Sequence, residues 1–561
     1  MTDSTQRGLT IDASTSTKSA AGVRPEQNNR EYECKLGGTA AALRTVKKAA
    51  QSLSTAKLTW STDDLESVYY DTPDMRLGRR RVTLRVRKKK GRFIQNVKSE
   101  NDGSGALFAR GEWEQEVDGL APRLDLIPED AMEVLGLVLP GELRETFRTK
   151  FKREQTVIVR QSATGPESRV ELAIDTGEVI AVKPAEKAGG RTSKKSVVRE
   201  AIQECEMELL QGDARDLFEI AVELQRVAEL SIVQESKAAR GYRLLEAPKV
   251  TPVRAEKTVL TRKKTVNEAI MEILRGGMRH MLVNEAPSID GTDPEGVHQF
   301  RVAVRRMRSM LSVFSKLLDP ARVDWLKVEL KWIADQFGPA RDWDVFIDEI
   351  IGPPNAAGVE PAAMTALVNA AEDHRRDAYV LVRNALKSPR YAALVLKLSA
   401  YTETQGWAPN PCPPDHPLAQ PIAMWSDKIL SRAHKKTLRA GEGLADLDVP
   451  ARHLLRIRVK KLRYNTDFLQ SLYDLPNKKY LRALERLQDD FGHLNDVAVA
   501  ETLLAELTAD AEDAGEAAML RRVGAAAVLA WHARGLHDRE PRLLKDWKDF
   551  TEAQPFWRKA D

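Results

Sequence analysis

Cysteine is scarce. The 561 residues hold three, Cys34, Cys205 and Cys412, far apart and with no CxxC pair. That excludes a disulfide framework or a zinc site and fits a reducing compartment. Long apolar runs are missing too: nothing reaches the roughly 18 residues that a membrane span needs, so no membrane partner is expected. An excess of one charge is also missing. The 87 Lys and Arg residues against 82 Asp and Glu leave +5, so distribution matters more than the total. Acids and bases are mixed in the first half, and basic clusters mark two places in the second. Residues 1–29, rich in Ser, Thr, Ala and Gln, lack the apolar core of a signal peptide and read as the disordered tail of a cytoplasmic protein.

What is present between residues 30 and 246 is a series of short strands with helices between them. In an extended Glu31-Tyr32-Glu33-Cys34-Lys35, side chains alternate, so Glu31, Glu33 and Lys35 share one face. Lys35 to Leu58 reads as helical after its Gly-Gly turn. Val82–Lys88 puts Leu84 and Val86 on one face and Arg85 and Arg87 on the other, and Lys98 lies on its hairpin partner. Arg110, Glu112, Glu114 and Glu116 share a face, as do Phe147, Thr149, Phe151 and Arg153. Asp175 lies in a further strand, and Glu204, Glu206 and Glu208 recur at period two. One charged strand face is ordinarily solvated. Repetition on many strands points to a closed sheet with a polar interior. Arg85, Arg87, Lys98 and Arg153 can hold a polyanion there, and Glu112, Glu114, Glu206 and Glu208 can hold hard cations such as Mg²⁺ or Mn²⁺.

The ordered motifs resemble the CYTH superfamily, the triphosphate tunnel metalloenzymes. They are Glu31-x-Glu33-x-Lys35, Tyr69-Tyr70-Asp71-Thr72-Pro73, Leu84-Arg85-Val86-Arg87, Arg110-x-Glu112, Ile174-Asp175-x-Gly177, Glu204-x-Glu206-x-Glu208 and Lys237-x-x-Arg240-Gly241-Tyr242. The resemblance implies an eight-stranded antiparallel β tunnel that binds triphosphate with Mg²⁺ or Mn²⁺. Arg85, Arg87, Lys98, Arg153, Lys237 and Arg240 would hold phosphates. Glu31, Glu33, Glu206 and Glu208, with Asp175, Glu112 and Glu114, would place metals. Lys35 would bind near the scissile phosphate and help water lose its proton, as a buried lysine among cations. Gly111 and Gln115 leave open which two of the three acids in that run reach metal.

Residues 247–260, with two prolines and scattered charge, read as a linker. Beyond them, over 261–556, the composition turns helical and contains an internal repeat. His298-x-x-Arg301-x-x-x-Arg305-Arg306-x-Arg308 matches His453-x-x-Arg456-x-x-x-Lys460-Lys461-x-Arg463. Phe337-Gly338-x-x-Arg341-Asp342 is echoed by Phe491-Gly492-x-x-Asn495-Asp496. At 100° per residue, His298, Arg301, Arg305 and Arg308 form one stripe, and so do His453, Arg456, Lys460 and Arg463. Unbalanced like charges at i,i+4 are mildly destabilising, and their appearance twice favours an anionic ligand. Arg341-Asp342-x-Asp344 reads as structural ion pairs.

This half resembles the CHAD domain, an all-α bundle of two pseudo-symmetric halves that binds inorganic polyphosphate. The resemblance assigns polyphosphate binding to both stripes, with Arg306 and Lys461. The expected protein is thus α+β and multidomain: a metal-dependent inorganic triphosphatase joined to a polyphosphate-binding domain, with possible residence at polyphosphate granules. A nucleotide-acting tunnel (an ATP cyclase, or a nucleoside or thiamine triphosphatase) and a non-catalytic polyphosphate scaffold are the alternatives. Nucleic acid is disfavoured, because no aromatic residues interleave with the basic helices.

Overall fold

The structure is a computed structural model that describes residues 32–101, 109–161, 165–183, 187–188, 191–192, 196–233, 235–246, 249–474, 478–509 and 515–558. The expected tail and Glu31 lie outside these residues. So do the side chains of Arg110 and Glu112, although their strand is described.

Beside a small two-stranded sheet of Lys187–Ala188 and Arg191–Thr192, the first half is built on one nine-stranded antiparallel sheet. Its strands are β1 (Glu33–Gly37), β2 (Ser61–Asp71), β3 (Val82–Lys89), β4 (Arg92–Asn101), β5 (Ala109–Val117), β6 (Arg144–Arg160), β7 (Ser168–Lys183), β8 (Ser196–Gln211) and β9 (Ser231–Ile232). The sheet order is β9-β1-β8-β7-β6-β2-β3-β4-β5. Eight strands were expected. The ninth is the two-residue β9, which pairs with the other edge of β1 through Leu36 and Ile232.

Register puts the charged faces together. Lys35 lies opposite Glu206 and Glu33 opposite Glu208, Glu204 opposite Asp175, and Asp175 opposite Arg153. Tyr69 lies opposite Arg85, Thr83 opposite Lys98, and Lys98 opposite Glu112. In a flat sheet β1 and β4 would stand about 29 Å apart, six spacings of about 4.8 Å. Glu33, Lys35 and Lys98 nonetheless line one cavity of about 200 Å³. The sheet is therefore curled into a tunnel whose inner face is the charged one.

The outer faces bury apolar side chains under helices. Cys34, Leu36, Cys205 and Met207 pack beneath α1 (Ala40–Ala49) and α2 (Ala214–Ala228). Thr39 caps α1 by accepting from the Ala42 N–H, and Asp213 caps α2 by accepting from the Arg215 N–H. The helix expected from Lys35 starts only at Ala40, because residues 35–37 are held in the β1–β8 ladder. A third helix, α3 (Lys237–Leu245), lies against the tunnel. It approaches closely because residue 241 is glycine; a Cβ there would fall 2.2 Å from the Phe147 ring. Tyr242 Oη donates to Asp71 Oδ2 at 2.9 Å, and Asp71 also accepts the Leu77 and Gly78 N–H groups. The Tyr-Asp-Thr-Pro and Arg-Gly-Tyr motifs thus meet at one buried carboxylate.

The second half is helical: α4 (Val266–Val283), α5 (Glu295–Val313), α6 (Pro320–Gln336), α7 (Gly338–Val345), α8 (Pro361–Lys387), α9 (Pro389–Glu403), α10 (Ala423–Ala440), α11 (Val449–Leu469), α12 (Lys478–Ala509) and α13 (Glu516–Glu552). The repeat is visible in space: α4 precedes α5 as α10 precedes α11, and α5 packs on α11. Phe337 and Phe491 are both buried at the echoed position. Pro339 follows Gly338, and the chain divides there into α6 and α7, whereas α12 runs unbroken through Gly492.

From Val253 onward, the stretch read as a linker is tied to the helices. Val253 exchanges hydrogen bonds with the Asn284 side chain, and buried Leu260 bonds Ser471 through its N–H. The two halves also touch. Leu396 of α9 is fully buried within the core beneath α1 and α2, and Gln225 donates to the Pro389 carbonyl. None of the described helices is long and apolar enough to cross a membrane.

Candidate active site

The tunnel cavity is built from opposite charges on neighbouring strands. Lys35 Nζ lies 3.0 Å from Glu33 and 2.7 Å from Glu206. Lys237, at the start of α3, reaches Asp175 at 2.7 Å, Glu204 at 2.5 Å and Glu206 at 2.9 Å. Arg153 grips both oxygens of Asp175, at 2.8 and 2.6 Å, and also contacts Glu206. Arg240 pairs with Glu204. Phe151 lies beneath Lys237, its ring centre 4.9 Å from the ammonium.

Electrostatics follow from this crowding. Burial pushes the Glu206 carboxyl up, but Lys237, Lys35 and Arg153 outweigh it and hold it well below the ordinary range. Arg87 is half-buried, and burial with Arg85 beside it brings its guanidinium down to about 10. Cations and carboxylates are intermixed around the wall: Lys35, Arg85, Arg87, Lys98, Arg153 and Lys237 line it together with Glu33, Glu206 and Glu208. Oxygens of Asp175, Glu204 and Glu206 all lie within 4.8 Å of one another. The Lys237 ammonium sits among these three, so the oxygen donors open to the cavity are Glu33, Glu206 and Glu208, which, with no sulfur or imidazole donor, fit a hard cation such as Mg²⁺ or Mn²⁺.

Most of the residues singled out in this half therefore converge. Arg240 contacts the cluster through Glu204 but does not line the cavity. Glu114 shares the inward register, yet its side chain is exposed and receives the Asn96 amide at 3.3 Å. Lys35 was expected among cations; its nearest partners are carboxylates, with Lys237 reached through the shared Glu206. Sequence reasoning passed over Glu204, only 1% exposed, which anchors Lys237 and Arg240. Its period-two spacing with Glu206 and Glu208 was the available signal. Tyr69, Thr83 and Ser236 also line the cavity.

The basic stripes of the second half divide. His298, Arg301 and Arg305 of α5 meet Arg456 and Lys460 of α11 around a cavity of about 580 Å³, joined by Arg341. The Nε atoms of Arg305 and Arg456 are buried without a hydrogen-bond partner. Burial, then Arg456 and Arg305, bring Lys460 down to about 7; burial and Arg341 bring His298 down to about 4. Asp342 and Asp496 face the same cavity. Arg306 and Arg463 do not line it. The first bonds Thr258 and stacks over Phe468; the second pairs with Asp467 and Glu485. Arg308, His453 and Lys461 are exposed outside it. Asp344 makes the anticipated structural ion pair, with Arg375 at 2.8 Å.

Residues 29–242 match the CYTH domain family and residues 272–505 the CHAD domain family. An inorganic triphosphatase of Haemophilus influenzae is 26% identical over 185 residues, 32% of this chain and 46% of that protein, so less than half of that relative is matched. An uncharacterised protein of Mycobacterium tuberculosis is 24% identical over 412 residues, 72% of this chain and 75% of its own length. The crystal structure of the CHAD domain from Ricinus communis is 30% identical, with 54% of this chain and 98% of that one covered, at a TM-score of 0.46. With both domain families matched in this order along one chain, the protein carries a CYTH domain followed by a CHAD domain.

Proposed function

We propose that the tunnel hydrolyses inorganic triphosphate to diphosphate and phosphate with Mg²⁺ or Mn²⁺, and that the helical cavity binds inorganic polyphosphate. The observation that carries this reading is that cations and carboxylates line the tunnel together. A site for an anion alone gains nothing from Glu33, Glu206 and Glu208 on its surface, whereas a metal-bound polyanion uses both kinds of charge. Arg85, Arg87, Lys98, Arg153 and Lys237 bind and align the phosphates, which is most of the work in phosphoryl transfer. Glu33, Glu206 and Glu208 would hold the cation, with Asp175 behind them fixing Arg153 and Lys237. Bound there, it would neutralise phosphate charge and make water more acidic. Lys35, held by Glu33 and Glu206, would bind near the scissile phosphate and help the attacking water lose its proton. The inorganic triphosphatase activity named for the Haemophilus influenzae relative points the same way.

Tyr69 is the one aromatic among the described lining residues, which weighs against a base-reading nucleotide site. In the helical cavity, the two buried guanidinium nitrogens without acceptors call for anionic oxygens. Phosphate release should be measured with triphosphate, long polyphosphate, ATP and thiamine triphosphate, each with Mg²⁺, Mn²⁺ or EDTA. Triphosphate should be cleaved fastest, and only with metal. Undiminished release in EDTA, or a preference for ATP or thiamine triphosphate, would overturn the assignment.

A further inference from the structure

The outer side of the second helical half carries cations that the cavity does not use. Lys428, Arg432, Lys435 and Arg439 recur on α10 at intervals of four, three and four residues, so they form one stripe about 16 Å long. All four are exposed, as is the neighbouring Lys436. Exposed Lys461 and half-buried Arg458 of the adjoining α11 extend the patch. They lie at a helical angle well away from Arg456 and Lys460, which face the cavity. Among the described residues, no carboxylate forms a salt bridge with any of these seven groups. Asp427, the nearest acid in sequence, is engaged by Tyr473. Lys461 is pushed below its ordinary range by partial burial and then by Arg458 and Lys436, so these charges do sense one another.

The internal repeat supplies a control. The matching helix of the first half, α4, also has arginines, but Arg275 pairs with Glu403 at 2.8 Å and Arg279 with Glu256 at 3.6 Å. The α9 helix packs against α4. The fold therefore does not require an uncompensated basic face at this position, and only the second copy has one. Such a face costs like-charge repulsion along the helix. A phosphate polymer would offset it by charge complementarity. The patch offers little for stacking on bases: the one tryptophan of α10, Trp425, is half-buried against the core, with Lys428 5.8 Å over its ring.

We propose that this α10–α11 surface holds a second stretch of a long polyphosphate chain whose first stretch lies in the helical cavity. The proposal rests on the polyphosphate reading of that cavity. Two sites on one polymer raise affinity through effective concentration, so long chains would be bound in preference to short ones.

The test uses the full-length protein and the variant K428Q/R432Q/K435Q/R439Q, which changes only exposed side chains. Binding of polyphosphate of about ten and about one hundred phosphates is measured at several salt concentrations, beside a phosphate-free control and a duplex RNA. The expected result is unchanged short-chain affinity in the variant, with long-chain affinity at least about tenfold weaker and a shallower salt dependence. Long-chain affinity within about twofold of wild type would overturn the proposal. So would loss of RNA binding with long-chain polyphosphate binding retained, which would make the patch a nucleic-acid surface. If wild type binds neither chain length, the cavity reading fails and this proposal fails with it. If it binds the short chain and gains nothing from the long one, only this proposal fails.

Discussion

Lys35 and Lys237, from the first strand and the last helix of the CYTH domain, meet at the same oxygen of Glu206, at 2.7 and 2.9 Å. That carboxylate also takes Arg153, so three cations converge on one residue. Glu206→Gln keeps the shape and removes the charge. It should lower kcat for triphosphate by about a hundredfold or more, the scale seen when one electrostatic group is lost from a site. Affinity for metal-free triphosphate should hold or rise, since an anion is then bound beside more uncompensated positive charge. Kinetics with Mg²⁺ and calorimetry without it separate the two. Full turnover in the variant would remove Glu206 from the metal-holding set.

The same carboxylate sets an acid limit. Its folded pKa lies below its unfolded value near 4.5, so its contribution to stability is complete above that value and is lost as pH falls through the folded one. Acid unfolding of the wild type should therefore be steeper below about pH 4.5 than that of Glu206→Gln, read by circular dichroism.

The helical cavity responds in a different range. Lys460 titrates near 7 rather than 10.5, facing Arg456 on its own helix, His298, Arg301 and Arg305 on α5, Arg341 and Asp342 on α7, and Asp489, His493 and Asp496 on α12. A bound polyanion favours the ammonium form. Polyphosphate affinity should thus rise as pH falls from about 9 to about 6, with proton uptake near neutral pH. Without ligand the sign for stability is opposite: between about 7 and 10.5 the unfolded chain holds more protons, so stability rises with pH there. Lys460→Met should flatten both dependences. Calorimetry in buffers of different ionisation enthalpy reads the proton uptake directly.

The inner tunnel face was legible because strand alternation is strict: Glu33, Lys35, Arg85, Arg87, Lys98, Arg153 and Glu206 each sit where period two puts them. Pairing was not legible. Nothing in the Glu204–Glu208 run says that Glu204 is the acid aligned with Asp175 and reached by α3, because that depends on the register of β7 against β8. The basic stripes were legible as helical faces, but their partition was not. The cavity spans about two turns of α5 and α11, so His453 and Arg308 at the ends fall outside it. Arg463 is taken by Asp467 and Glu485 from its own helix and α12.

Contact between the domains also lay beyond the sequence pattern. Leu396 reads as an ordinary core residue of α9, yet it is buried in the cluster that holds Leu217, Ile220 and Leu224 of the CYTH domain. Leu396→Ala should cost about 2–5 kcal/mol, the range for a buried leucine. Residues 257–561 expressed alone should remain helical on their own large core but self-associate through the uncovered α9 face, and Leu396→Glu in that fragment should restore a monomer. Sedimentation of both fragments checks this. A monomeric wild-type fragment would mean that the α9 contact adds little.

The last prediction concerns the two facing stripes. Arg305 and Arg456 each carry a buried Nε without an acceptor, whereas Arg301 donates to the Ala334 carbonyl at 2.7 Å. Arg305 is therefore the residue held most clearly for a ligand, and Arg301 is partly structural. Polyphosphate carries about one charge per phosphate, so its binding releases counterions and weakens steeply with salt, as for nucleic acid backbones. Neutralising Arg301 and Arg305 together should lower affinity at every salt concentration and reduce the slope of log affinity against log salt by about two, one for each charge removed. Arg305→Gln alone should give most of the affinity loss with little change in melting temperature, because no internal hydrogen bond of its Nε is broken. Triphosphate hydrolysis should stay near wild type in both variants, since neither side chain lines the tunnel. Titrations at several salt concentrations beside a phosphate-release assay decide the matter. An unchanged slope would make the stripe a solvated face, and a parallel loss of hydrolysis would mean that the two cavities share a ligand.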